Sequence, residues 1–277
     1  MQAMIFAAGL GTRLKPLTDT MPKALVPVNG KPLLQHVLER LAENGCSNVV
    51  VNVHHFSQQI KDFLHNNDKL VQKFRSSEVQ KFRSSKVQNL RTSEPQNPYN
   101  LDISISDESD MLLETGGGIK KAVPLFNAEE PILIHNVDIF CDIDLKTFYS
   151  SSKDNAATLL VSKRESSRYL YFDDDDNLVA WANMKTQEIK SPFAEIRKMD
   201  VPMLEERYRR YAFSGIHIFS PVLFKYFDSF PERFGIIDFY LKVCEKEKIK
   251  CFVKDGLRLL DVGKMDTLKE AETFWQK

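Results

Sequence analysis

Residues 9–28 read GLGTRLKPLTDTMPKALVPV and follow the apolar run AMIFAA at 3–8. The apolar run is typical of a buried strand, and Gly9 and Gly11 stand where a chain leaving a strand needs unusual dihedral angles and close backbone approach. Such a turn gathers backbone N–H groups that can bind an anion. Arg13 offers a planar fork and Lys23 a compact charge, and both suit phosphate oxygens. The stretch therefore predicts a strand, a turn and a polyphosphate site.

The glycine turn by itself matches neither of two common phosphate-binding patterns. It lacks the dinucleotide fingerprint (Gly, one residue, Gly, two residues, Gly) and the Walker loop, which ends in Gly, Lys and Ser or Thr. The full string is more specific, because it resembles the signature of the sugar-1-phosphate nucleotidyltransferases, the family that makes UDP-, GDP-, CDP- and dTDP-sugars. The resemblance continues in family order through ETGGG at 114–118, HNVD at 135–138, FSGIH at 213–217 and LDVG at 260–263.

This resemblance implies both a fold and a reaction. The fold is α/β, a Rossmann-like nucleotidyltransferase fold with a mainly parallel central sheet flanked by helices and a small sugar-binding lobe. The reaction is magnesium-dependent transfer of a nucleotidyl group from a nucleoside triphosphate, above all UTP or GTP, to a sugar-1-phosphate, with release of pyrophosphate. The LLETGGG and DVG forms are most similar to the N-acetylmuramate-1-phosphate uridylyltransferase and mannose-1-phosphate guanylyltransferase branch.

A chain of 277 residues with 43% hydrophobic content can bury one large core or two modest ones, and we expect a single domain over 1–277 because single α/β domains are common at this size. The 38 basic and 38 acidic residues balance, so we expect neither nucleic acid nor a membrane as partner.

No apolar run approaches the roughly 20 residues of a membrane-spanning helix, and the amino terminus lacks a secretory signal, so we expect a cytoplasmic protein. The cysteines lack CxxC spacing, and we expect reduced thiols. The oligomeric state stays open.

The pattern along the chain predicts strands alternating with helices. Leucines and valines at helical spacing between 33 and 41 form one apolar face, and Gly45 is placed for a left-handed helix end. A strand at 49–53 and a helix at 57–65 follow, and this alternation of strands and helices is typical of a parallel sheet. We expect further strands at 101–105, 131–135, 156–162, 211–219 and 250–253, a smaller lobe over about 156–219, and a carboxyl-terminal helix at 264–275.

Three copies of an eight-residue unit lie between the predicted helix at 57–65 and the next predicted strand: VQKFRSSE at 71–78, VQKFRSSK at 79–86 and VQNLRTSE at 87–94. Neither helical nor strand geometry places the apolar residues of the unit on one clean face. Six basic and two acidic residues between 71 and 94 give a local charge of 6 − 2 = +4. We expect a repetitive surface insertion at about 67–99, mobile or only loosely helical, in preference to a functional arm.

Two further motifs have an ordinary structural interpretation. DDDDN at 173–177 separates two apolar runs and favours a hairpin turn over a cation site. His54 and His55 close the second predicted strand without carboxylate or cysteine partners at ligand spacing, which favours a strand end over a metal or proton-transfer role.

Two aspartates are candidate metal ligands. Asp138 follows the apolar run PILIH, and Asp261 follows LRLL and precedes a glycine, so each stands at the carboxyl end of a predicted strand, where open sheets bind ligands. The resemblance implies that Asp138 and Asp261 hold one Mg²⁺ between them. The alternative is a pair of aspartates that cap adjacent turns.

The resemblance also implies a nucleotide site. Arg13 and Lys23 are the catalytic candidates, Arg13 on the β- and γ-phosphates and Lys23 on the α-phosphate. Glu108 could accept hydrogen bonds from a guanine or uracil edge, although a surface glutamate is the plain alternative. Backbone at Leu10, Gly11 and Thr12 would line the triphosphate, the small residues Ala7, Ala8 and Gly9 would admit the base, and Gly116 and Gly117 would face base and ribose.

For the sugar, the resemblance assigns contacts to Asn136, Asn183, Lys185 and Gly215. Two rival functions stay open. One is a cytidylyltransferase acting on phosphocholine or another non-sugar phosphate, with aromatics from Tyr169, Tyr171 and Trp181. The other is a non-catalytic regulator that binds a sugar nucleotide.

Overall fold

A computed structural model describes residues 1–67, 71–75, 101–152 and 154–274. In chain order the strands are β1 (Gln2–Phe6), β2 (Pro27–Val28), β3 (Lys31–Pro32), β4 (Asn48–Val53), β5 (Val71–Arg75), β6 (Leu101–Asp107), β7 (Ile132–Asn136), β8 (Ile139–Cys141), β9 (Ala157–Ser162), β10 (Arg168–Phe172), β11 (Leu178–Asn183), β12 (Glu188–Lys190), β13 (Arg209–Phe219), β14 (Ile249–Val253) and β15 (Leu259–Asp261). The α-helices are α1 (Leu33–Glu43), α2 (Ser57–His65), α3 (Glu114–Ala122), α4 (Leu145–Ser150), α5 (Val201–Arg207), α6 (Ile236–Val243) and α7 (Met265–Thr273).

The amino-terminal apolar run becomes β1, the centre of a parallel half-sheet. β1 pairs in parallel with β4 and β7, β4 with β6, and β6 with β5. α1 buries Leu33, Leu34, Val37, Leu38 and Leu41 and ends at Gly45, which has a φ of 81°. The carboxyl ends of β1, β4, β6 and β7 therefore meet at one edge of the sheet.

The other half of the sheet is antiparallel. β13 pairs antiparallel with β7, β9 and β10, and β10, β11 and β12 continue antiparallel, while β14 runs parallel to β9. The α/β architecture and the parallel half of the sheet match the predicted fold class. A separate hydrophobic cluster, which includes Tyr171, Ala180 and Leu204, forms the core of the smaller lobe.

Most predicted elements appear within two residues of their predicted bounds. α2 spans Ser57–His65 as predicted, and DDDDN is a hairpin turn in which Asp173 Oδ1 accepts from the backbone N–H of Asp175 and Asn177. The predicted conformation of the first repeat unit, mobile or loosely helical, was wrong over Val71–Arg75. This segment forms an edge strand, because β6 offers backbone N–H and C=O groups with which it pairs in parallel. The remaining repeat residues, 76–94, and residue 275 of the predicted last helix lie outside the described residues.

Cys46, Cys141, Cys244 and Cys251 are all free thiols, in agreement with the sequence. Burial raises the pKa of Cys46 to about 12, so this thiol stays protonated. Across 1–67, 71–75, 101–152 and 154–274, none of the helices combines the length and hydrophobicity that a membrane crossing requires.

Candidate active site

The glycine turn after β1 has the conformation that its sequence predicts. Gly11 has a φ of 65°, and its carbonyl accepts from Leu14 N–H and from Thr18 Oγ1, each at 2.8 Å. A Cβ on Gly11 would lie 2.8 Å from Thr18 Cγ2 and 2.9 Å from Lys23 Cβ, so both dihedral and space require glycine. Leu10 is 44% exposed at the rim of the turn. The turn thus presents backbone beside Lys23.

Asp138 and Asp261 are brought together from positions far apart in the chain. β15 pairs antiparallel with β8, which places Asp261 opposite Ile139, and the N–H of Val262 donates to the carbonyl of Asp138 at 2.8 Å. A Cβ on Gly263 would lie 2.7 Å from Asp261 Oδ1 and 2.9 Å from Asp138 Oδ2. The two carboxylates therefore face one point, which a side chain at residue 263 would fill.

Two cations from the amino-terminal stretch reach these carboxylates. The Lys23 ammonium contacts Asp138 Oδ2, and both side chains are only 12% exposed. Arg13 Nη1 lies 3.3 Å from Asp261 Oδ2, and Arg13 Nη2 lies 4.0 Å from Asp138 Oδ2. Burial alone would raise the pKa of Asp261, but the Gly263 N–H, Arg13 and Lys23 together hold it below its usual range. The Asp261 carboxylate is thus kept ionised and acceptor-only.

A cavity of about 440 Å³ opens beside this cluster at the carboxyl edge of the parallel strands. We call it the strand-end cavity. Its walls include small residues after β1 and polar residues from α3 and β7: Ala7, Ala8, Gly9, Lys23, Asn52, Glu108, Glu114, Thr115, Asn136 and Asp138.

Asn52 at the end of β4 is a site residue that the sequence interpretation missed. Its Oδ1 accepts from the backbone N–H of Ala7 at 2.7 Å and of Ala8 at 3.3 Å, and its Nδ2 donates to Glu108 Oε1 at 2.8 Å. Asn52 is only 2% exposed, so these bonds replace water for every group involved. The available signal was a polar residue inside the buried run VVVNV.

Glu108 is not the surface glutamate of the plain alternative, because it is fully buried. Its Oε2 accepts from Leu113 N–H at 3.2 Å, its Oε1 accepts from Asn52, and a Cβ on Gly118 would lie 2.9 Å from Oε1. Burial raises the pKa of Glu108 despite these hydrogen bonds. The carboxylate thus holds strand ends together at the cavity wall. His54 also serves the strand ends, since its Nδ1 lies 2.6 Å from the carbonyl of Glu108.

Gly116 and Gly117 are not among the residues that line the strand-end cavity, although Glu114 and Thr115, which precede them, are. Their N–H groups both donate to Phe234 O, at 2.9 and 3.2 Å, so these amides are engaged within the protein. A Cβ on Gly117 would lie 2.1 Å from Glu232 O. Close packing explains these glycines, and their predicted contacts with base and ribose remain predictions.

The predicted sugar residues divide into two groups. Asn136 lines the strand-end cavity, and a Cβ on Gly215 (φ 74°) would lie 2.6 Å from Asn136 Nδ2, so these two positions are adjacent. Asn183 lines a second cavity of about 550 Å³ in the smaller lobe, which we call the lobe cavity. Lys185 is exposed in the following turn, where its N–H donates to Asn183 Oδ1 at 3.0 Å.

The glycine turn and Asp138 lie at the carboxyl edge of the parallel strands, with Asp261 beside them, and this arrangement is typical of α/β enzymes that bind nucleotides. Comparison with known families then makes the assignment: the chain belongs to the nucleotidyl transferase family, whose model matches residues 2–277. Within that family its sequence is similar to sugar-1-phosphate nucleotidyltransferases.

Curated relatives resemble parts of the chain. The N-acetylmuramate alpha-1-phosphate uridylyltransferase of Caulobacter vibrioides is 39% identical over 136 residues, which is 49% of this chain and 45% of that protein. The choline-phosphate cytidylyltransferase of Streptococcus pneumoniae is 48% identical over 64 residues, 23% of this chain and 28% of that protein. These matches thus span less than half of each relative. A UDP-glucose pyrophosphorylase structure from Acinetobacter baumanii shares the fold, with a TM-score of 0.71, 14% identity and coverage of 99% and 92%.

Proposed function

We propose that this chain transfers a nucleotidyl group from UTP or GTP to a sugar-1-phosphate in a magnesium-dependent reaction. The observation that carries the proposal is the convergence of Asp138 and Asp261 on one point, with Lys23 and Arg13 beside them. The family supplies the general reaction, and the uridylyltransferase among its relatives supports UTP.

The two aspartates fit a magnesium site. Mg²⁺ is bound through one or two carboxylates, with the other positions taken by water and substrate phosphates, so Asp138 and Asp261 would suffice. In the described parts of the chain, no group of three or more His, Cys, Asp or Glu side chains is arranged for a metal. When bound, the ion would neutralise phosphate charge.

The chain's own residues would align two anions that repel each other. An oxygen of the acceptor phosphate attacks the α-phosphorus, the new P–O bond forms, and the bond to the pyrophosphate leaving group breaks. Lys23 and Arg13 offset the negative charge of the approaching phosphates, and the exposed backbone of the glycine turn adds N–H donors. Ala7, Ala8 and Gly9 present little side chain to the strand-end cavity, which leaves room for the base.

The first alternative function, a phosphocholine cytidylyltransferase, would use three aromatic side chains to bind the ammonium group, and one of them is not available. Tyr171 is fully buried in the lobe core, so of these three aromatics Tyr169 and Trp181 line the lobe cavity. The binding-only regulator gains no support, because the four charged residues that we propose for transfer are all present and are joined by ion pairs. A sugar-1-phosphate enzyme accounts for the site best.

Pyrophosphate release tests the proposal. The protein is incubated with Mg²⁺, each of UTP, GTP, CTP and dTTP, and either a panel of sugar-1-phosphates or choline phosphate. We expect release with UTP or GTP and a sugar-1-phosphate, and at least about a 100-fold lower rate for Asp138→Asn, Asp261→Asn and Lys23→Met.

Lys15→Ala is the matched control, because Lys15 lies in the same stretch but pairs only with Asp19 at the surface, at 3.0 Å. We expect its rate to stay within about twofold of wild type. Nucleotide-dependent thermal stabilisation without pyrophosphate release from any acceptor would instead support the regulator. Full activity of either aspartate variant would refute the proposal.

A further inference from the structure

The lobe cavity combines aromatic walls with an acidic rim. Tyr169, Trp181 and Phe213 line it, and Glu188 and Asp238 stand at its edge. An aromatic face next to carboxylates is the environment in which proteins hold organic ammonium groups. The lobe cavity therefore has the chemistry of a cation site.

An ammonium group from the chain itself occupies this environment. Lys190 Nζ lies 5.1 Å from the centre of the Trp181 ring, 2.9 Å from Asp238 Oδ1 and 4.0 Å from Glu188 Oε1. Strand register fixes the arrangement, since Lys190 on β12 is the direct partner of Trp181 on β11. Cross-strand partners share one face of a sheet, so Lys190 is directed over the ring by backbone pairing.

The lobe cavity lies next to the strand-end cavity. A Cβ on Gly235 would lie 3.5 Å from Asp238 Oδ2 and 3.8 Å from Glu114 Oε2. Asp238 lines the lobe cavity and Glu114 lines the strand-end cavity, so the walls of the two cavities approach each other at Gly235. Because Asn183, a predicted sugar contact, also lines the lobe cavity, we assign this cavity to the acceptor of the proposed reaction.

We propose that Lys190 is a resident ammonium that fills the cation position of the lobe cavity and excludes acceptors that carry an ammonium group. The assignment of the cavity to the acceptor rests on the proposed function. A second cation would be repelled by the Lys190 charge at short range. It would also lack a carboxylate partner, because Glu188 and Asp238 already pair with Lys190, so two effects disfavour its binding. An uncharged, hydroxyl-bearing acceptor meets neither obstacle.

The experiment removes the lysine and supplies a free cation. Trp275 is replaced by Phe throughout, so that Trp181 is the only tryptophan, and tetramethylammonium is titrated while Trp181 fluorescence is recorded. We expect Lys190→Ala to bind tetramethylammonium at least about tenfold more tightly than the parent protein. The side chain is 41% exposed, so its truncation leaves the fold intact.

Lys225→Ala is the matched control. Lys225 also pairs with a carboxylate, Glu247 at 2.8 Å, and also lies over an aromatic ring, Tyr226 at 5.0 Å, but it is outside the lobe cavity. We expect this variant to titrate as the parent does. Equal affinity of parent and Lys190→Ala, or no saturable change in either, would overturn the proposal.

Choline phosphate turnover extends the test to the acceptor. We expect Lys190→Ala to raise kcat/KM for choline phosphate relative to a sugar-1-phosphate by at least about tenfold. Because tetramethylammonium binding requires no turnover, the two proposals can fail separately. Gain of binding without pyrophosphate release from any acceptor would support the resident ammonium and overturn the proposed function.

Discussion

At the scale of single residues, the site depends on glycines that admit neighbours from distant parts of the chain. Gly263 leaves open the point on which Asp138 and Asp261 converge, and Gly11 admits Thr18 and Lys23. The sequence shows where such glycines are, but it does not show which atoms approach each one in the fold. Those atoms decide whether a glycine makes room for a ligand or for another part of the protein.

Gly117→Ala tests a packing glycine. The added Cβ would lie 2.1 Å from the backbone carbonyl oxygen of Glu232, which cannot move without displacing the 232–235 segment from α3. We expect the free energy of unfolding to fall by roughly 3 kcal/mol, because overpacking against backbone is poorly relieved. Urea denaturation followed by circular dichroism measures the change.

Gly9→Ala is the contrasting variant for stability. A Cβ on Gly9 has no atom within 4 Å, so we expect the free energy of unfolding to stay within about 0.5 kcal/mol of wild type. Equal destabilisation by both variants would contradict the packing role of Gly117.

At the scale of elements, the local sequence pattern was enough to predict a helix or strand wherever the residues of that element determine its conformation. The bounds of α2 and the apolar face of α1 follow from helical spacing, and β1 follows from an uninterrupted apolar run. β5 was missed because it depends on its pairing with β6. The packing of Gly116 and Gly117 against Phe234, whose carbonyl accepts from both amides, could not be deduced from the sequence because Phe234 is over a hundred residues away.

The same limit explains why Asn52 was missed. Its side chain ties the end of β1 to β4 and, through Glu108, to β6 and the start of α3. Each of these bonds joins different elements, so none can be deduced from the spacing of residues in β4. Asp138 and Asp261, in contrast, could be predicted because each follows a strand in a recognisable segment.

Asn52→Ala should loosen this edge of the sheet. The substitution leaves the Ala7 N–H and the Glu108 carboxylate without their partner in a buried setting, so we expect a loss of about 1–3 kcal/mol in the free energy of unfolding. Asn48→Ala, at the exposed start of the same strand, should change it by less than about 0.5 kcal/mol. Chemical denaturation of both variants checks the contrast; similar losses would contradict a linking role for Asn52.

At the scale of the whole molecule, two histidines lie where the parallel and antiparallel halves of the sheet join. His135 on β7 and His217 on β13 are each only 1% exposed, and β7 pairs with β13. Burial lowers the pKa of each to about 3, with Arg40 acting in the same direction on His135. The folded protein therefore keeps both imidazoles neutral over the range in which exposed histidines become protonated.

The consequence is a loss of stability on mild acidification. The unfolded chain binds protons at both histidines below about pH 6.5 while the folded chain does not, so stability is fully present above that pH and declines as the pH falls toward the folded pKa. We expect the free energy of unfolding to fall by up to about 2.7 kcal/mol per pH unit between about pH 6 and pH 4.5. Urea titrations at several pH values measure the slope.

His217→Phe separates the contribution of one histidine. A phenyl ring preserves a ring beside Phe213 and Tyr240, whose centroids lie 5.5 and 5.6 Å from the His217 ring, but it cannot bind a proton. The carboxylates with lowered pKa, such as Asp107 and Asp261, change charge at lower pH, so they contribute little to this window. We therefore expect the slope to fall by about 1.4 kcal/mol per pH unit. The remainder is set by His135 and is offset in part by Glu108, whose raised pKa acts in the opposite direction. An unchanged slope would mean that protonation of buried His217 does not oppose folding.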